Sequence, residues 1–177
     1  MGIEADPERD ELVDEVDEHD RVTRVVARRV MRAQRLRHRA VFVAVLDGSG
    51  RLLVHRRALT KDLWPGWCDI AVGGVVGSGE TYEHAARREL AEEVGVTDCS
   101  PEPIDGGVSQ SYEDSEVRLI GRCFRVIHPG PFEFADGEVV DAWWMKIDDL
   151  EAMLERERFL PDSLSLLWPL IRPSMAG

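Results

Sequence analysis

The spacing of apolar and polar residues changes several times along the chain, and each change marks an element. LVDEV (12–16) and RVTRVV (21–26) alternate apolar with polar positions around Glu18-His19-Asp20, the pattern of two short strands and a turn. ARRVMRAQRL then places Val30, Met31 and Leu36 among good helix formers, which predicts a short helix. VFVAVLD and RLLVHRR predict two strands joined at Gly48-Ser49-Gly50, where glycine supplies the positive φ of a tight hairpin. Pro65-Gly66 marks a turn, and Cys68 to Val76 reads as strand material interrupted by Gly73-Gly74. The next helix is signalled at both ends. Thr81 suits the N-cap, Glu83 the positively polarised first turn and Gly95 the C′ position, so the helix spans about Tyr82 to Val94. SEVRLIGRCFRVI and VVDAWWMKI are later strands, DDLEAMLERERF is a helix opening after Asp148 or Asp149, and DSLSLLWPLI is a closing helix. Residues 1 to 10 look frayed. With no internal repeat or long linker, these elements predict one α/β domain, a mixed sheet flanked by helices.

Composition narrows the function classes. The chain is 44% hydrophobic and 32% charged over 177 residues, the balance of a soluble globular protein. No apolar run approaches the roughly 20 residues of a membrane span. The N-terminus lacks the basic-then-apolar pattern of a secretory signal, so a cytoplasmic location is expected. Cys68, Cys99 and Cys123 form no C-x-x-C pair, which argues against a disulfide framework and against a zinc site. A formal net charge of −12 disfavours nucleic acid as a partner. That charge is polarised: residues 1–20 hold ten Asp or Glu against Arg9 alone, while residues 21–40 hold eight Arg and no acid. Either the two blocks pair with one another, or some of Arg28, Arg29, Arg32, Arg35, Arg37 and Arg39 meet substrate phosphates, which the guanidinium fork fits well.

The candidate chemistry lies on the helix after Thr81. Glu89, Glu92 and Glu93 stand at i, i+3 and i+4, which gathers three carboxylates on one face while Leu90 and Val94 are left for the core. Like charges at this spacing destabilise a helix unless a cation sits among them. Oxygen ligands select a hard cation, Mg²⁺ or Mn²⁺, and Mg²⁺ typically completes its shell with water and substrate phosphates. A bare E-x-x-E-E is more often a solvated helix surface, but here it lies inside a longer pattern, G-x5-E-x7-R-E-U-x-E-E-x-G-U with U a bulky aliphatic. Gly74, Glu80, Arg88, Glu89, Leu90, Glu92, Glu93, Gly95 and Val96 all fall in register with it.

This stretch resembles the signature of the Nudix family, and by the order of elements the likeness extends over residues 38 to 172. The resemblance implies an α/β/α sandwich, with residues 1–37 as an extension (acidic tail, hairpin and short helix) packed on a hydrolase domain at 38–177. It implies that Glu89, Glu92 and Glu93 hold the metal, with the Gly74 carbonyl completing the site, while Arg88 and Glu80 form an ion pair that orients the glutamates. The implied reaction is Mg²⁺-dependent hydrolysis of a diphosphate linkage in a nucleoside diphosphate-X substrate, with Glu92 and Glu93 in the catalytic set. HRAVFVAVLDGSGRLLVHRRALTKDLWPGW is also similar to isopentenyl diphosphate isomerases and hydrolases related to them. Those isomerases need a cysteine and a histidine where this chain has Gly73 and Val75, which can neither protonate an alkene nor ligate metal, so hydrolysis is the better reading. A catalytically silent nucleotide-binding module is the alternative from another class. Arg39 and Lys61 are candidate phosphate contacts, and Trp64, beside Pro65-Gly66, is the candidate for stacking on a base. Glu116, in the acidic stretch Ser111 to Val117, is the expected proton acceptor or added ligand, with Glu138 as its rival. A small-molecule diphosphate is the expected partner; a homodimer remains open.

Overall fold

Alternation along one ten-residue strand builds the centre of the molecule. The computed structural model describes residues 11–175, and the frayed start expected for residues 1–10 falls outside them. Strand β3 (Arg37–Leu46) follows β1 (Leu12–Val16), β2 (Val22–Ala27) and helix α1 (Arg28–Gln34). Its side chains point to the two faces in turn: Ala40, Phe42, Ala44 and Leu46 enter one core cluster, and Val41, Val43 and Val45 another. After β3 come β4 (Leu52–Arg57), β5 (Cys68–Asp69), β6 (Val72–Val75), α2 (Tyr82–Val94), β7 (Glu102–Pro103), β8 (Gln110–Glu113), β9 (Arg118–Ile127), β10 (Val139–Met145), α3 (Ile147–Leu154), α4 (Pro161–Leu166) and α5 (Trp168–Met175).

The main sheet runs β10-β4-β3-β9-β7, with β5 on β4, β6 on β3 and β8 on β9. It is mixed: β3 and β9 pair in parallel over ten positions, and the other ladders are antiparallel. On one face α2 packs Tyr82, Ala85, Ala86, Leu90 and Val94 against the odd-numbered β3 valines. On the other, Leu150, Leu166, Leu167, Ile171 and Met175 from the C-terminal helices cover Phe42 and its neighbours. The fold is therefore an α/β/α sandwich.

The first hairpin forms its own two-stranded sheet and is fastened to the core at several points. Val13 bridges to Gly77, Ser78 donates its amide to the Leu12 carbonyl, and Val13, Met31 and Val75 form a small apolar cluster. The acidic and basic blocks pair with each other here: Arg28 with Glu11, Arg39 with Asp20 and Asp14, and Arg24 with Glu15.

Several boundaries differ from the sequence pattern, each for a local reason. Gly73-Gly74 does not interrupt β6 but runs through it, because β3 passes so close that a Cβ on Gly73 would overlap the Val41 carbonyl oxygen. Helix α3 opens after Lys146, so Asp148 and Asp149 lie in its first turn, where their charge favours the helix dipole, rather than at its cap. The closing helix is two helices, α4 and α5, separated at Leu167; Pro169 has no amide to continue the first across the join. The acidic stretch at 111–117 is not a plain loop, since its first half is β8.

Candidate active site

Helix α2 is defined by its caps. The Thr81 hydroxyl accepts from the His84 amide, and Gly95 closes the helix at φ 71° with its N–H on the Ala91 carbonyl. These caps fix which turn of the helix meets β6. Glu89 and Glu93 are buried on that side, while Glu92, one position round, is exposed. Gly74 lets the sheet come this near, since a Cβ there would stand 2.5 Å from a Glu89 carboxylate oxygen.

Arg88 organises the group. Its Nε and Nη2 donate to the two Glu80 oxygens at 3.0 Å each, its Nη1 to Glu89 at 2.7 Å and Glu92 at 3.1 Å, and its Nη2 also to the Val75 carbonyl at 3.1 Å. Glu80 in turn accepts from the Gly77 amide at 2.9 Å. Burial works against the charge of Arg88, but hydrogen bonds and ion pairs with Glu80 and Glu89 outweigh it and raise the guanidinium pKa above its ordinary value. Burial pushes Glu89 up to about 7 despite Arg88, and drives Glu93 upward too, with the Glu89 charge adding to the shift.

Two buried carboxylates that resist ionisation side by side are a donor set suited to a hard cation. Among the described residues no three acid, histidine or cysteine side chains are yet drawn close enough to grip an ion, since Arg88 holds Glu89 and Glu92. The oxygens that Arg88 does not engage, with those of Glu93, are the ones a cation would use. The residues fit Mg²⁺ or Mn²⁺ by chemistry and charge.

These side chains line a cleft of about 390 Å³ whose other walls carry Glu11, Arg28, Lys61, Gly73, Asp136 and Glu138. Lys61 and Glu138 form a close ion pair across it. The cleft continues along α1, past Arg28, Arg29 and Arg32, and inward to a second cavity lined in part by Lys61, Trp64 and Gly74.

The sequence-predicted residues are thus divided. Glu89, Glu92, Glu93, Gly74, Arg88 and Lys61 line the cleft itself, Glu80 meets it through Arg88, and Trp64 lines the inner cavity. Arg39 is not among the lining residues; it is committed to Asp20 at 2.6 Å and Asp14 at 3.4 Å in the first hairpin. Glu116 lies on the exposed turn between β8 and β9, bonded to Ser115 and Asp114, while its rival Glu138 lines the cleft. Asp69, Asp136, Arg57 and Asp162 gave no sequence signal. They lie in loops, strand ends and a helix start, and only the packing brings them to the cavities.

Comparison with known proteins agrees with this fold. A domain model described as NUDIX matches residues 36–164. An uncharacterized Nudix hydrolase of Yersinia pestis is 41% identical over 157 residues, spanning 89% of this chain and 84% of its own length. The crystal structure of DR0079 from Deinococcus radiodurans superposes with a TM-score of 0.70 at 28% identity, covering 92% of this chain and 98% of that one. The NUDIX domain of Shewanella oneidensis NrtR, solved with ADP ribose, shares the fold at a TM-score of 0.58 and 17% identity, over 78% of this chain and 88% of that one.

Proposed function

The chain belongs to the Nudix family, hydrolases that act on phosphoric anhydrides, and from that premise we propose that it cleaves the diphosphate linkage of a nucleoside diphosphate-X substrate with Mg²⁺ or Mn²⁺ held by Glu89, Glu92 and Glu93 and the Gly74 carbonyl. The observation that carries this reading is the pair of buried glutamates, Glu89 and Glu93, aimed into a cleft whose opposite wall offers Arg28 and Lys61. A bound cation would supply charge neutralisation to the diphosphate and acidify the attacking water.

The protein's own groups do the rest. Arg88, locked by Glu80, keeps the carboxylates of Glu89 and Glu92 turned to the cleft. Arg28 and Lys61 draw the anionic substrate against the acidic helix. Water adds to one phosphorus, the bond from that phosphorus to the bridging oxygen breaks, and the water proton passes to a carboxylate. We assign that acceptor to Glu138 in place of Glu116, because Glu138 lines the cleft and pairs there with Lys61.

A hydrolysis screen with nucleoside diphosphates and their sugar and nucleotide conjugates, with products resolved, tests the proposal. Turnover to phosphate monoesters that stops on chelation is expected. Turnover unaffected by chelator, or none with either cation, would overturn it.

A further inference from the structure

Part of the arginine block serves neither the cleft nor the first hairpin. Arg35 and Arg37, with Arg118, converge on a single carboxylate, Glu113, at 2.7, 3.9 and 3.3 Å. None of these four residues lines the diphosphate cleft or the cavities beside it. The sheet sets up the group. Arg37 of β3 stands opposite Arg118 of β9, and Arg118 opposite Glu113 of β8, so the three side chains form a row across one face of neighbouring strands. Arg35 reaches the row from the end of α1.

Electrostatics leaves this group short of negative charge. Like charges directly opposite on adjacent strands repel, and here three guanidiniums share one glutamate in a chain whose net charge is −12. Asp114 lends some charge to Arg35, but its oxygens already accept from the Tyr112 hydroxyl at 2.8 Å and from the Glu116 and Val117 amides at 2.7 and 2.8 Å. Arg37, whose side chain is only 18% exposed, and Arg118 donate no side-chain hydrogen bond among the described residues; their approaches to Glu113 lack the distance or the angle for one. Arg35 holds its place from a left-handed backbone at φ 49°, which glycine would adopt at less cost. Further along the same face Arg39 and Arg122 share Asp20, at 2.6 and 4.0 Å, so a neighbouring pair of arginines on this sheet is already bridged by an anion of the chain.

We propose that Arg35, Arg37 and Arg118 form a second anion site, separate from the cleft, that takes the phosphate group of a small phosphate monoester. Guanidinium forks match phosphate oxygens, and a doubly charged phosphate competes well against one carboxylate for three such forks. Glu113 is 46% exposed and has room to turn aside. A polyanion is the poorer occupant, because Arg37 is largely shielded and the net charge of the chain repels a long phosphate backbone. The site makes no use of the metal or of the glutamates of α2, so it stands or falls apart from the hydrolase reading.

The test follows the arginine Nε–H resonances of the full chain by NMR while inorganic phosphate or methyl phosphate is added, with no divalent cation and with chloride holding the ionic strength constant. Expected are saturable shifts at Arg35, Arg37 and Arg118. Arg118→Gln should weaken phosphate binding by at least ~tenfold, as loss of a charged donor requires. Glu113→Gln should strengthen it by about threefold, because it removes the competing carboxylate. Arg35→Gly removes a guanidinium and leaves a residue suited to the left-handed backbone; it should weaken binding as much as Arg118→Gln does, and it carries the test if that variant fails to fold. Shifts that chloride alone reproduces, shifts confined to Arg88 in the cleft, or a response to an acidic peptide or an oligonucleotide but not to phosphate would overturn the proposal. So would affinity unchanged in the folded arginine variants, or weakened in Glu113→Gln.

Discussion

Arg88 shows how one side chain can serve several acids at once. It bonds Glu80, Glu89 and Glu92 together, so the two ends of the motif are joined through a guanidinium. Glu80→Gln would keep the shape and weaken this clamp without touching the metal ligands, so kcat should fall by about tenfold, far less than for Glu93→Gln. An equal loss in the two variants would place Glu80 among the ligands. The proton acceptor is tested by a second comparison. Glu138→Gln is expected to lower kcat by at least ~100-fold, within the range of general base catalysis, while Glu116→Gln stays within twofold of the native protein. A silent Glu138→Gln with a crippled Glu116→Gln would return the role to the β8–β9 turn. The glutamate cluster was legible because helical spacing brings Glu89, Glu92 and Glu93 near one another and the longer pattern from Gly74 to Val96 sets them apart from a solvated helix surface. The choice between Glu116 and Glu138 was not, since both are acids before strands and only the crossing of β10 beside β4 carries one of them to the cleft.

Among the elements, α2 was the easiest to read, because Thr81 and Gly95 are local signals that owe nothing to the rest of the chain. The short strands β7 and β8 escaped notice, as strands of two and four residues carry too little alternation to be told from loop and form only against β9. Thr81→Ala should lower stability by about 1 kcal/mol through loss of the cap. Gly95→Ala should cost more, roughly 1–2 kcal/mol for the left-handed backbone plus the contact its Cβ would make 2.9 Å from Glu133. Denaturant melts would rank the two, and the reverse order would mean that the helix end is free to rearrange. The first hairpin is similarly tied to the start of this helix. Asp14 accepts from the Ser78 hydroxyl at 2.7 Å, and Asp20 accepts from Tyr82 at 3.1 Å. Its pairing with Arg39 shows where a residue expected at the substrate is engaged: the acidic and basic blocks, adjacent in sequence, bond to each other here.

At the scale of the molecule, the buried acids make stability depend on pH. Burial pushes Asp69 up to about 6 and Asp162 up to about 7, the latter also through the charge of Asp69. A carboxyl with a folded pKa above its unfolded value binds its proton more tightly when folded. Its contribution is therefore greatest at acid pH and is lost as pH rises from about 3.8 towards about 7. Asp162→Asn should accordingly gain melting temperature relative to the native protein at pH 8 and little at pH 4; the opposite trend would show that the acid is ionised and paired. Glu89 and Glu93 should respond to metal in the same way that they resist one another's charge. Mg²⁺ at about 100 times its Kd would stabilise the fold by about 2.7 kcal/mol, and that increment should vanish in Glu93→Gln. The most direct test of the metal-dependent mechanism is the turnover of Glu93→Gln at saturating Mg²⁺ on the best substrate of the screen. Expected is a fall in kcat of at least ~100-fold with the fold intact, as removal of a ligand charge requires; turnover within twofold of the native protein would contradict it.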